Sequence, residues 1–120
     1  MNQILKKQFL LRFFAALDAC QIMYFVMGEY KYLPLDTNGS DIDIVIINSS
    51  PSWLNKVVLR CVKENGVLMA SYYRNPQAEF YRFITSDWGV QIDFLMGGLY
   101  YRGVQYYPTE KLKSHIKVYF

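Results

Sequence analysis

The sequence predicts an α+β domain, a mostly antiparallel sheet with helices packed on it. Two observations carry the prediction. Stretches 3–19 and 51–65 repeat apolar residues at helical spacing. Five shorter apolar segments, 21–27, 41–47, 67–73, 78–85 and 90–95, have strand length and are cut off by turn residues. The last three are separated by gaps so short that an antiparallel meander follows. The chain has 120 residues, which suits a single domain, 1–120, with one core. An apolar content of 52% excludes a disordered chain.

In the first helix Leu10, Phe13, Phe14 and Leu17 fall on one stripe, which is expected to cover the core. The run 21–27 ends at Gly28 and is unbroken by polar residues, as a strand buried on both faces would be. The segment from Glu29 to Ser40 is turn-rich: Pro34 disfavours a helix, and Asn38-Gly39 marks a turn. Strand 41–47 follows. Ser50 then caps a second helix with Pro51 in its first turn, and Gly66 stops it. Leu54, Val57, Val58 and Cys61 share the apolar face of that helix; Lys56, Arg60 and Lys63 share the solvated one. Gly97-Gly98 ends the third strand of the meander. Beyond it a short helix around 110–114 and a last strand at 115–120 are expected. Phe120 sits inside an apolar run, so a C-terminal truncation stays open.

The net charge of +3 is mild, and the basic residues are scattered, so charge alone does not signal a nucleic-acid groove. Two cysteines, Cys20 and Cys61, and a single histidine, His115, exclude a structural zinc site. Both thiols are expected reduced. No secretory signal and no apolar stretch of about 18 residues is present, so a cytoplasmic protein is expected, without membrane partners.

The chemistry concentrates in Gly39-Ser40-Asp41-Ile42-Asp43-Ile44-Val45-Ile46-Ile47. Alternate strand residues share a face, so Asp41 and Asp43 point the same way, about 7 Å apart. Two carboxylates so placed suit a divalent metal. Asp93 lies in Gln91-Ile92-Asp93-Phe94, flanked by apolar residues in the middle of a strand. An ionised aspartate rarely sits there without a partner or a metal. If strand 90–95 lies beside strand 41–47, Asp93 joins the pair. Three carboxylates would repel, and bound Mg²⁺ would relieve the repulsion in the manner of a two-metal site. A turn-capping role for Asp41 is the plainer reading of that residue, but it leaves Asp93 unexplained.

These residues resemble the nucleotidyltransferase superfamily of polymerase-β type. The likeness lies in Gly28, the gap after Glu29, Asp41-Ile42-Asp43-Ile44 between apolar residues, and a distant third carboxylate, Asp93. It spans roughly residues 20–103. It implies a mixed sheet with helices packed on it, the nucleotidyltransferase-like fold. It implies that Asp41, Asp43 and Asp93 are the catalytic, metal-binding residues for Mg²⁺. It further implies transfer of a nucleoside monophosphate from a nucleoside triphosphate, such as ATP, to an acceptor hydroxyl, with release of pyrophosphate.

Gly28 would approach the triphosphate. The family usually has Ser after this glycine, where this chain has Glu29, which faces phosphates unfavourably. Gly39 and Ser40 would supply backbone N–H groups instead. Lys31, Arg74 and Arg82 are candidate phosphate partners, though ordinary surface charges at such positions are commoner. The paired tyrosines Tyr72, Tyr73, Tyr100, Tyr101, Tyr106 and Tyr107 suit strand packing better than stacking of a base. A second class stays open: a nucleotidyltransferase-fold interaction module that does not turn over, with a protein partner or a second copy of itself. The acceptor is unspecified.

Overall fold

The structure, a computed structural model, describes residues 3–27, 42–96, 98–101 and 104–108. The element order is α1 (Lys6–Ala19), β1 (Tyr24–Met27), β2 (Ile42–Ile46), α2 (Pro51–Asn65), β3 (Leu68–Asn75), β4 (Ala78–Ile84), β5 (Gly89–Met96), β6 (Gly98–Tyr101) and β7 (Val104–Pro108). The first five strands form one sheet in the order β1-β2-β5-β4-β3; β6 and β7 form a hairpin beside β2 and β5. β2 and β5 run parallel, and every other pair is antiparallel. The fold is therefore α+β with a mixed, mostly antiparallel sheet, as expected. Among the described residues no helix is long and apolar enough to cross a membrane.

Local chemistry fixes the helix ends. Both helices close with the same paired bonds: Ile22 N donates to Leu17 O and Gln21 N to Asp18 O, and Val67 N donates to Val62 O and Gly66 N to Lys63 O. Each closure needs a left-handed residue. At α2 that residue is Gly66, with φ 66°, where no Cβ opposes it; at α1 it is Gln21, with φ 56°. The first strand therefore starts at Tyr24, three residues later than the apolar run suggests. Asn48 then clamps its entry: Met23 N donates to Asn48 Oδ1 at 2.7 Å, and Asn48 Nδ2 donates to Gln21 O at 3.1 Å. Ser50 Oγ accepts from Trp53 N at 3.2 Å, the expected cap of α2.

One face of the sheet carries the core. Ile42, Ile44 and Ile46 of β2, Tyr81 and Phe83 of β4, and Val90, Ile92, Phe94 and Met96 of β5 are all buried against the helices. Phe13 of α1 lies 6.0 Å from the ring of Phe83 and 5.9 Å from that of Phe94, and Phe9 lies 5.5 Å from Phe83. Leu54, Val57, Val58, Cys61 and Val62 bury the α2 face. Arg60 stands on the opposite face, ion-paired with Glu64 at 3.2 Å.

Two expectations are adjusted. Among the described residues β1 is an edge strand, with no strand beyond it in the sheet, and Phe25 and Val26 are only half-buried. β6 and β7 pair antiparallel, so Tyr106 to Pro108 are strand; Pro108, which lacks an N–H, sits at the strand's end where a ladder bond is dispensable. The helix and strand expected from 110 onward, and His115, lie outside the described residues. The thiols of Cys20 and Cys61 are both free.

The core also sets an alkaline limit. Burial, with a smaller contribution from Asp18, holds the Tyr24 phenol well above the usual tyrosine range, and burial does the same for Tyr81. Burial pushes the Cys61 thiol up to about 11. Each group keeps its proton longer in the folded state than in the unfolded chain. Its contribution to stability is therefore whole below the unfolded value and is lost as pH rises through the folded one. We expect a melting temperature that is flat up to about pH 9 and falls from there towards pH 11, measured by calorimetry across that range. A constant value throughout would contradict it.

Candidate active site on the second face of the sheet

Strand alternation divides the sheet in two. While Ile42, Ile44 and Ile46 face the helices, Asp43 and Val45 face the other way; on β5, Gln91, Asp93 and Leu95 do the same. The parallel register sets Asp43 directly beside Asp93. Neighbouring strands stand about 4.8 Å apart, so the two carboxylates rise from adjacent backbone positions onto one surface. Asp43 is exposed and Asp93 half-buried. Gln91, two residues earlier on the same face, donates from Nε2 to Asp93 Oδ1 at 2.9 Å and so orients that carboxylate. One step along, Val45 is fully buried, so the face is covered at that end and open to water at Asp43.

The row continues across the sheet. Asp93 is in register with Phe80 on β4, and Phe80 with Tyr73 on β3. The Tyr73 and Phe80 rings lie 5.7 Å apart and 34° from parallel. Arg82, exposed and in register with Gln91, stands one step from Phe80 on the same face. Arg74 is also exposed but in register with Glu79, on the helix side of the sheet.

Of the predicted site residues, Asp43 and Asp93 are therefore brought together. Asp41, Gly28, Gly39 and Ser40, with Glu29 and Lys31, lie outside the described residues. Two aspartates in register offer the hard oxygen donors that Mg²⁺ takes. Among the described residues no group of three or more His, Cys, Asp or Glu is placed to hold a metal ion. Asp41 is the residue that would enlarge the set.

Gln91 and Phe80 neighbour the site without a local mark in the sequence; only their parity with Asp93 and Arg82 along the strands places them there. Glu79 is equally unmarked. Flanking apolar residues single out Asp93, yet Glu79 in Ala78-Glu79-Phe80-Tyr81 has the same setting and is the carboxylate that is buried, at 1% exposure. Its Oε1 accepts from Tyr72 Oη at 2.6 Å and from Tyr81 Oη at 3.4 Å, and Asn55 Nδ2 of α2 donates to Tyr81 Oη at 2.8 Å. Glu79 Oε2 is buried without a hydrogen-bond partner among the described residues. Burial, then the hydrogen bond to Glu79, raises the Tyr72 phenol. A polar cleft lined by Gln3, Gln8, Arg12 and Lys63 opens between the helices and shares no residue with the aspartate row.

No family model matches the chain, and no curated protein matches it. If Gln91 orients Asp93 for a cation, Gln91→Ala should weaken Mn²⁺ or Mg²⁺ binding about tenfold or more by titration calorimetry. An unchanged affinity would deny Gln91 that role.

Proposed function

We propose that this protein is a Mg²⁺-dependent nucleotidyltransferase, moving a nucleoside monophosphate from a nucleoside triphosphate to an acceptor hydroxyl. The observation that carries the reading is the register of Asp43 beside Asp93 on parallel neighbouring strands. The resemblance of Gly28, Asp41-Ile42-Asp43-Ile44 and Asp93 to that superfamily supports the reading, and the mixed α+β sheet is compatible with its fold. A donor triphosphate also implies a cytoplasmic site of action.

Asp43 and Asp93 would hold the cation, with Asp41 completing the set. Bound Mg²⁺ would neutralise the triphosphate and polarise the acceptor hydroxyl. Gln91 holds one oxygen of the Asp93 carboxylate. The open side of Asp43 gives the acceptor's proton a path to water. The acceptor oxygen bonds to the α-phosphorus, the α–β bridging bond breaks, and pyrophosphate leaves. Gly28, Gly39 and Ser40 are assigned to the phosphates on the resemblance.

The test is thermal denaturation with Mg²⁺ and each of the four common triphosphates. Ligand at 100 times its dissociation constant stabilises the native state by about 2.7 kcal/mol, a shift of about ten degrees for a domain of this size. Asp43→Asn should abolish the shift. No shift with any of the four would count heavily against catalysis.

One observation favours the interaction module instead. Among the described residues β3 is an eight-residue edge strand whose Leu68 is 67% and Tyr73 64% exposed. An edge of that length is a template for pairing with another chain. Light scattering showing a stable dimer or hetero-complex, with no turnover of any triphosphate, would support that reading.

A further inference from the structure

We propose that Tyr73, Phe80 and Arg82 form a subsite for a nucleobase that carries a phosphate, immediately beside the Asp43–Asp93 pair. The base would lie on the Phe80 and Tyr73 rings, and its phosphate would reach Arg82. The placement of that phosphate chain towards the aspartates rests on the proposed nucleotidyltransferase reading; the stacking surface itself does not.

The register supplies the geometry. Asp43, Asp93, Phe80 and Tyr73 occupy one row across β2, β5, β4 and β3, all on the face away from the helices. At about 4.8 Å per strand, a ring seated over Phe80 and Tyr73 lies about 5–10 Å from Asp93 and about 10–14 Å from Asp43, a span that a nucleotide's sugar and phosphate chain can bridge. A cross-strand aromatic pair also strengthens a sheet. That role alone leaves the exposure unexplained, since Tyr73 presents 64% of its surface to water at the sheet's edge. The exposed Tyr73 ring, with the half-buried Phe80 ring beside it, offers a platform that accepts any base, because every base has a flat π-face.

The charge pattern selects the ligand. Arg82 is the exposed cation on the same strand face as Phe80, and its planar guanidinium pairs well with a phosphate. The aspartates at the other end of the row would repel a bare phosphate and attract one that arrives with a divalent cation. A flat ring joined to a phosphate chain satisfies both ends. Nucleotide bases from two sources have this chemistry: the base of a triphosphate donor, and the terminal base of a short single strand that offers a 3′ hydroxyl.

The experiment measures two bindings. A fluorescein-labelled single-stranded hexanucleotide is titrated in EDTA, where no cation bridges the aspartates. ATP is titrated separately with Mg²⁺. Tyr73→Ser and Phe80→Leu should each weaken one of them by about 5- to 100-fold, Tyr73→Trp should restore it, and Arg82→Gln should flatten its salt dependence. Weakened hexanucleotide binding assigns the platform to an acceptor strand; weakened ATP binding alone assigns it to the donor's base. Tyr73→Ser changes a mostly exposed ring, so its melting temperature should stay close to that of the unaltered protein even if Phe80→Leu is less stable. The proposal is overturned if neither probe binds, or if both bind equally to the Tyr73→Ser and Tyr73→Trp variants. Loss of the triphosphate-dependent thermal shift with hexanucleotide binding intact in EDTA would remove the catalytic reading and leave the subsite standing.

Discussion

The parallel pairing of β2 with β5 is the constraint on which the rest depends. Three isoleucines on β2 and four apolar residues on β5 must all face α1 and α2, and side chains alternate along a strand. A slip of one residue in either strand would turn the aspartates into the aromatic core and the isoleucines into water. Burying an ionised carboxylate among phenylalanines costs several kcal/mol, and exposing a row of isoleucines costs more. The core thus sets the register, and the register sets Asp43 beside Asp93. The chemistry of one face is specified by the packing of the other.

A second arrangement ties the layers together where the core thins towards β3. Asn55 of α2, Tyr81 and Glu79 of β4, and Tyr72 of β3 form a chain of hydrogen bonds across helix and sheet. The Glu79 carboxylate sits in a place where apolar contacts would be expected, and it is held by two phenols rather than by a cation. Such a network fixes geometry more than it adds stability, since the desolvation of the carboxylate offsets much of the gain from its bonds. It fixes β3 and β4 against the helix and thereby holds the outward rings of Tyr73 and Phe80 in their mutual setting.

Most of the fold was legible in the chain. Ser50-Pro51 and Gly66 bound α2 because caps act locally, and the meander followed from its short gaps. Burial of Leu10, Phe13, Phe14 and Leu17 followed from their spacing. The start of β1 was not legible, because Gln21 adopts a left-handed conformation with no glycine to mark it. Within the site, the union of Asp43 and Asp93 was foreseen as a condition on strand order, which no local signal decides. The identity of the buried carboxylate was hidden for a related reason: Asp93 and Glu79 look alike in sequence, and only strand parity relative to the helices sends one outward and the other inward.

The two aspartates that meet across β2 and β5 come from positions roughly 50 residues apart, and closing so long a loop is entropically costly before any contact is made. α2 and the β3–β4–β5 meander are local and can form early, whereas the β2–β5 ladder joins distant parts of the chain and waits for both. The carboxylate pair is consequently expected to be among the last features to assemble during folding. Any ligand that binds there recognises a finished molecule, and occupancy of the site becomes a report on the folding of the entire sheet.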